Sequence, residues 1–219
     1  MKTHAQPERR SANPDQSRSA PVSDRAAVLT EGLPQPILIS LERYQIHAEA
    51  GLYFCTFSVT DWLPVFVTEK SCQIITDSLA YCQQHKQLGL DAFVIMPTHL
   101  HVIVFDREWN STRLEQTLVD FRKFTGRVLA QFCGESMPLC FAAALSAAAG
   151  DDRDHRFWQP TRHPESITTE KFHNQKRDYL HDNPRRKGLV RHPADWRWSS
   201  AKYYETGQGS AVSVTPVVW

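Results

Sequence analysis

Two apolar runs, about Leu90–Met96 and His101–Phe105, are separated by little more than the pair Pro97-Thr98. Both are short and rich in β-branched or aromatic residues, so they predict neighbouring strands. Pro97-Thr98 then serves as a turn, or as a bulge within one bent strand pair. An isolated strand pair is not stable in water, so the rest of the chain must cover it. The same stretch carries His99 and His101 on either side of Leu100. Side chains at i and i+2 of a strand share a face, so the two imidazoles project side by side while Leu100 faces the core. Two imidazoles from one strand make a natural pair of metal ligands. They also fit the polar face of an amphipathic strand. A metal needs more than two ligands, so the choice depends on the rest of the chain.

Other segments supply the missing elements. Residues 51–60 are aromatic and β-branched with rough alternation and predict a first strand. Thr68 to His85 carries Cys72, Ile75, Leu79 and Cys82 at helical spacing, with Thr68 as N-cap and Gly89 just past the end. A second helix, Ser111 to Phe132, carries Leu114, Leu118, Phe121, Val128 and Leu129 on one side. Residues 133–155 are alanine-rich and then charged, and read as an insertion or mobile connection. A fourth strand is expected around Arg156–Ile167, anchored by Phe157 and Trp158. A last helix, capped by Thr168 or Thr169, runs to about Asp182. The order β-α-β-β-α-β predicts an α+β, ferredoxin-like core with one antiparallel sheet. That architecture hosts many activities and decides none.

Composition adds bounds. The 219 residues suit one ordinary domain with extensions, read as a tail over 1–37, a domain over 38–204 and a C-terminal tail over 205–219. Residues 1–35 are rich in Pro, Ser, Arg, Asp and Gln and bury too little apolar surface to offset ordering. Five cysteines without a Cys-x-x-Cys spacing argue against a disulfide framework and a structural zinc site. No apolar run nears 18 residues and no secretory leader is evident, so the expectation is a cytoplasmic protein with no membrane partner. Net charge is +1, so a nucleic-acid surface must be local.

The last predicted helix offers such a surface. From Glu170 to Arg197 there are eight basic residues against four acidic ones. Arg185, Arg186 and Lys187 are consecutive, and three adjacent cations cannot all be buried. Trp196 and Trp198 read either as stacking platforms or as core. Arg122, Lys123 and Arg127 form a second, weaker patch on the second helix. Tyr179 and Asn183 lie at i and i+4 and share a helical face, with Lys176 nearby. Pro184 disfavours helical geometry at Asn183 and reads as the helix stop. Tyr179 and Asn183 suit chemistry or plain packing. Tyr203 and Tyr204 read as part of an appendage, His155, His163, His173 and His192 as surface residues, and Cys133 and Cys140 as buried thiols.

Met96-Pro97-Thr98-His99-Leu100-His101-Val102-Ile103-Val104 resembles the histidine–hydrophobe–histidine (HUH) motif of single-tyrosine transposases. Residues 178–190, with Pro193 to Ser200, resemble the C-terminal signature of the branch known as REP-associated tyrosine transposases. The two motifs occur in the family's order, and the resemblance spans residues 41–204.

The resemblance implies that His99 and His101 bind a divalent metal, Mg²⁺ or Mn²⁺, with Asn183 as a third ligand. It implies that Tyr179 is the catalytic nucleophile, and that single-stranded or hairpin DNA, not a small molecule, is the substrate. Lys176, Arg185, Arg186, Lys187, Arg122 and Lys123 are the expected DNA contacts. A tyrosine hydroxyl has a pKa of about 10 and needs activation to attack a phosphodiester at neutral pH. The expected product is a 5′-phosphotyrosine and a free 3′-hydroxyl. A non-cleaving, domesticated DNA-binding protein and a His-x-His metallohydrolase using water are the alternatives. Both monomer and homodimer fit.

Overall fold

A computed structural model describes residues 51–151, 153–160 and 164–219. The expected tail over 1–37, the domain start near residue 38 and His163 lie outside the described residues. Nine elements follow in order: β1 (Leu52–Ser58), α1 (Glu69–His85), β2 (Leu88–Met96), β3 (His99–Asp106), α2 (Ser111–Ser136), α3 (Leu139–Ala147), β4 (Glu165–Ile167), α4 (Glu170–Arg186) and α5 (Ala201–Thr206). The strands form one antiparallel sheet in the order β2-β3-β1-β4, the α+β arrangement expected from the sequence.

Strand alternation sends side chains to two cores, one on each face of the sheet. Tyr53, Cys55, Phe57, Leu100, Val102 and Val104 pack with α1 and α2. Leu52, Phe54, Ile103 and Phe105 pack on the other face with Leu180 of α4. Along β2 the parity changes midway: Leu88 and Leu90 join the first core, and so do Phe93 and Ile95. The cause is a register shift between Leu90 and Ala92, a bulge that leaves Asp91 as the extra residue. Asp91 is fully buried, which its hydrogen-bond partners (below) offset.

The helices begin where capping side chains allow. The Thr68 hydroxyl accepts from the Ser71 amide, and Cys72, Ile75, Leu79 and Cys82 of α1 are all buried. Losing such a cap costs about 1 kcal/mol. Asn110 caps α2 and Thr169 caps α4 in the same way.

The β2–β3 connection is the two-residue turn Pro97-Thr98, since Met96 and His99 are paired. Its carbonyls are also occupied: Val59 N donates to Thr98 O and Phe66 N to Pro97 O. The start of β3, and with it His99, is therefore fixed against the end of β1.

Several expectations are corrected. The fourth strand is only Glu165–Ile167. Phe157 and Trp158 precede it as buried aromatic residues, joined to the end of β1 by Thr60 N to Phe157 O, Gln159 N to Ser58 O and a Val59–Trp158 bridge. Residues 133–155 contain the end of α2 and all of α3, and Cys133, Leu145 and Ala149 are buried. Helix α4 does not stop before Pro184 but continues to Arg186. Pro184 lies in the last turn, where its missing amide removes one bond and Lys187 N to Asn183 O and Leu189 N to Pro184 O complete the exit. Gly188, at φ 71°, takes the left-handed position that ends the helix.

The segment read as a C-terminal tail is bound to the domain at Ser213, whose carbonyl accepts from Gln83 Nε2, and at Thr215, and residues 198–200 before it bind the same strand edge. Ile95 N donates to Trp198 O, Ser200 N to Phe93 O and Thr215 N to Leu90 O, which covers the edge of β2. Trp196 donates its indole N–H to Ile95 O, and Trp198 packs on the first core. Among the described residues, no helix is long and apolar enough to cross a membrane.

Candidate active site

The sheet's two histidines open onto the α4 face near the β1 end. His99 and His101 have ring centroids 4.6 Å apart. His101 is stacked on Phe54 at 5.2 Å. Thr56 and His101 are cross-strand partners, and Thr56 Oγ1 lies 2.8 Å from His101 Nδ1. The neighbouring imidazole has a matching contact, Thr98 Oγ1 at 2.9 Å from His99 Nδ1. Each Nδ1 is thus engaged by a hydroxyl, which directs Nε2 to any ligand or substrate.

Both imidazoles are neutral at pH 7. Burial lowers His99 to about 4, with the charge of Lys187 acting in the same direction. Burial lowers His101 to about 3, assisted by His99 and Lys176. Neutral imidazole is the form that ligates metals.

Helix α4 brings Tyr179 to the same place. Its ring lies 5.8 Å from that of His101 and 6.3 Å from Phe54, and the side chain remains 41% exposed. The Arg186 guanidinium sits 5.3 Å from the Tyr179 ring centroid. Lys176 Nζ is 4.8 Å from the Phe54 ring and pairs with Glu165 Oε2 at 2.6 Å. A cavity of about 390 Å³ lies between these groups, lined by Thr56, His101, Gln159, Glu165, Lys176 and Tyr179 among others. Trp62 lies on its rim, 55% exposed, with its indole 5.9 Å from the His99 ring. Asp61 and Trp62 both have positive φ, 51° and 55°, a strained pairing of the kind found at functional sites.

Asn183, one turn after Tyr179, is 4% exposed, and its buried Nδ2 has no hydrogen-bond partner. An unsatisfied buried amide is costly and calls for an explanation. Among the described residues, no group of three or more His, Cys, Asp or Glu side chains is arranged to hold a metal.

The other expected residues fall into different surroundings. Arg185 pairs with Asp182 at 2.5 Å in the exposed last turn of α4. Arg122 donates to the carbonyls of Trp158 and Gln159. Lys123 and Arg127 are exposed on α2, outside the cavity at Tyr179. Sequence reasoning missed Thr56, Phe54, Glu165 and Trp62, whose proximity to the histidines depends on strand register and loop conformation.

Two further residues differ from expectation. His173 is 1% exposed rather than at the surface, with Nε2 2.7 Å from Asp91 Oδ2. The Trp219 indole N–H donates to His173 Nδ1, and Tyr204 Oη and Val217 N both donate to Asp91 Oδ1. Tyr204 is thus a packed hydrogen-bond donor. Cys140 is exposed, whereas Cys133 is buried as expected.

No protein-family model matches the sequence, and no curated protein matches it. A solved structure of a REP-associated tyrosine transposase bound to a REP hairpin is similar, with a TM-score of 0.51. Identity is 19%, over 81% of this chain and 92% of that one. At that identity the likeness supports the fold.

Proposed function

We propose that this protein is a metal-dependent endonuclease and strand-transferase acting on single-stranded or hairpin DNA, with Tyr179 as nucleophile. The observation that carries the reading is the meeting of two neutral imidazoles on β3 with an accessible tyrosine on α4. The likeness to a transposase bound to a DNA hairpin adds support at the level of the fold.

His99 and His101 would hold a divalent ion through Nε2, with Asn183 as a neutral oxygen donor. Such an ion, Mg²⁺ or Mn²⁺, supplies Lewis-acid polarisation of the scissile phosphate. The threonine hydroxyls at Nδ1 fix the orientation of the rings. Tyr179 Oη attacks phosphorus in line with the departing 3′-oxygen. The P–O3′ bond breaks as the new P–O bond forms, and the tyrosine proton ends on the 3′-hydroxyl. Arg186, close to the Tyr179 ring, offsets negative charge that builds on the phosphoryl oxygens. The phosphodiester is conserved in the 5′-phosphotyrosine, so a second 3′-hydroxyl reseals the strand without ATP.

Covalent trapping tests this. Labelled hairpin oligonucleotides are incubated with Mn²⁺ or Mg²⁺ and run under denaturing conditions. A protein–DNA adduct lost in both Tyr179→Phe and His101→Ala is the expected result. Cleavage that persists in Tyr179→Phe would instead mean a water-using hydrolase, and binding without cleavage would mean a non-cleaving DNA-binding protein.

A further inference from the structure

Helix α4 carries both Tyr179 and Asn183, yet little apolar surface holds it to the sheet. Its buried residues are His173, Leu180, Asn183 and Pro184. Leu180 packs in the second core, with Phe172 partly buried against the same cluster. Apolar contact is non-directional, so it resists separation of helix and sheet more than it resists sliding. A directional hydrogen bond to the layer beneath is what fixes the register of a helix.

Two imidazoles of α4 make such bonds. In the second half of the helix, His181 Nε2 lies 2.8 Å from Ser200 Oγ. In the first half, His173 Nε2 lies 2.7 Å from Oδ2 of Asp91, the bulge residue of β2. Residues much later in the chain complete this second anchor. The Trp219 indole, which can only donate, gives its N–H to His173 Nδ1 at 2.9 Å. With Nδ1 accepting, the imidazole proton resides on Nε2 and is donated to Asp91. Val217 N at 2.8 Å and Tyr204 Oη at 3.0 Å donate to the other Asp91 oxygen, and Thr215 N donates to the adjacent Leu90 O. Residues 215–219 and α4 therefore grip the same buried carboxylate and each other.

We infer that Asp91, His173 and Trp219 form a clasp that positions Tyr179. None of the three lines the cavity at the tyrosine, so they act on it through the helix. Tyr179 lies between the two anchored imidazoles, six residues and about 9 Å of helix beyond His173. A rod pinned at two points neither slides nor pivots. Release of His173 leaves His181 as a single pivot, and the tyrosine ring then moves relative to His101. The kinetic consequence rests on the reading of Tyr179 as the nucleophile: a misplacement of about 1 Å costs up to about 10²-fold in rate.

Fluorine NMR of protein labelled with 3-fluorotyrosine reads that placement without DNA, because the Tyr179 ring sits against the rings of His101 and Phe54. The Tyr179 signal is assigned by its loss in Tyr179→Phe. Trp219→Phe keeps a ring and deletes the N–H of a half-exposed side chain, so it is the mild variant. His173→Leu deletes both bonds. His173→Gln keeps an amide that donates to Asp91 and an oxygen that accepts from the indole. The Tyr179 signal should shift or broaden in Trp219→Phe and His173→Leu, and match the wild type in His173→Gln. The signal of Tyr81, exposed on α1, should not move. With saturating hairpin DNA and Mn²⁺, Trp219→Phe should form adduct about tenfold more slowly, at an unchanged half-saturating DNA concentration.

An unmoved Tyr179 signal in Trp219→Phe would overturn the clasp and leave these residues a stabilising role alone, visible as a lower melting temperature. A Tyr81 signal that moves with Tyr179, or His173→Gln behaving as His173→Leu, would overturn it equally. Adduct formation by the wild type is scored separately. A missing adduct with the Tyr179 response intact removes the catalytic reading and keeps the clasp. Adduct formed at the wild-type rate by Trp219→Phe, with an unmoved signal, does the reverse.

Discussion

Thr56 and His101 face each other across β1 and β3, and the threonine hydroxyl lies 2.8 Å from the imidazole Nδ1. Valine has nearly the same shape as threonine but offers no oxygen. Thr56→Val should therefore leave the fold intact and weaken Mn²⁺ binding by about 10–100-fold, the usual cost of losing a partner to a ligating imidazole. Thr56→Ser should retain most of the affinity. Calorimetric titration of Mn²⁺ into the two variants checks this, and equal affinities would remove the threonine from the site.

Arg186 is exposed and sits by the Tyr179 ring, so its removal should cost little stability. Arg186→Ala is expected to slow adduct formation by about 10²-fold, the scale for losing one charged donor at a reacting oxyanion. Arg186→Lys should recover only part of the rate, because an ammonium lacks the planar fork. Single-turnover adduct formation measures both, with melting curves as the control.

Trp62 presents an exposed indole beside His99 on a backbone of positive φ. Such a platform suits stacking by a base next to the scissile phosphate. Trp62→Ala should weaken binding of single-stranded DNA by about 1–3 kcal/mol, while Trp62→Phe retains much of it. Fluorescence anisotropy at fixed salt decides between stacking and a passive surface residue.

Burial keeps His101 and His181 neutral in the folded chain, at about 3 and about 4 against an ordinary value of 6.5. The unfolded chain therefore binds protons first as pH falls below about 6.5. Stability should drop across the window from there toward pH 3–4, and recover as pH rises. His101 alone contributes a slope of up to about 1.4 kcal/mol per pH unit within that window. Denaturant melts of the metal-free protein between pH 7 and 5 should show this, with a shallower dependence in His101→Asn.

The parts of the fold that local chemistry controls were legible in the sequence. The Thr68 cap and the buried positions Cys72, Ile75, Leu79 and Cys82 follow from helical spacing, and the pairing of His99 with His101 follows from strand alternation. Features that depend on long-range packing were not. The Asp91 bulge reverses the parity of β2 because a buried carboxylate found His173, Tyr204 and the Val217 amide, all remote in sequence. Pro184 is tolerated within α4 because the last turn has other bonds to complete it. Thr56 and Trp62 carry no motif of their own and reach the histidines only through register and loop conformation.

Helix α4 returns onto the sheet of its own chain, so the histidines and the tyrosine meet without help from a second copy. The consequence is kinetic. Assembling the reacting groups requires no encounter between protein molecules, and adduct formation at saturating DNA should be first order in protein. Specific activity should stay flat on serial dilution, and mixing Tyr179→Phe with His101→Ala should restore none of it.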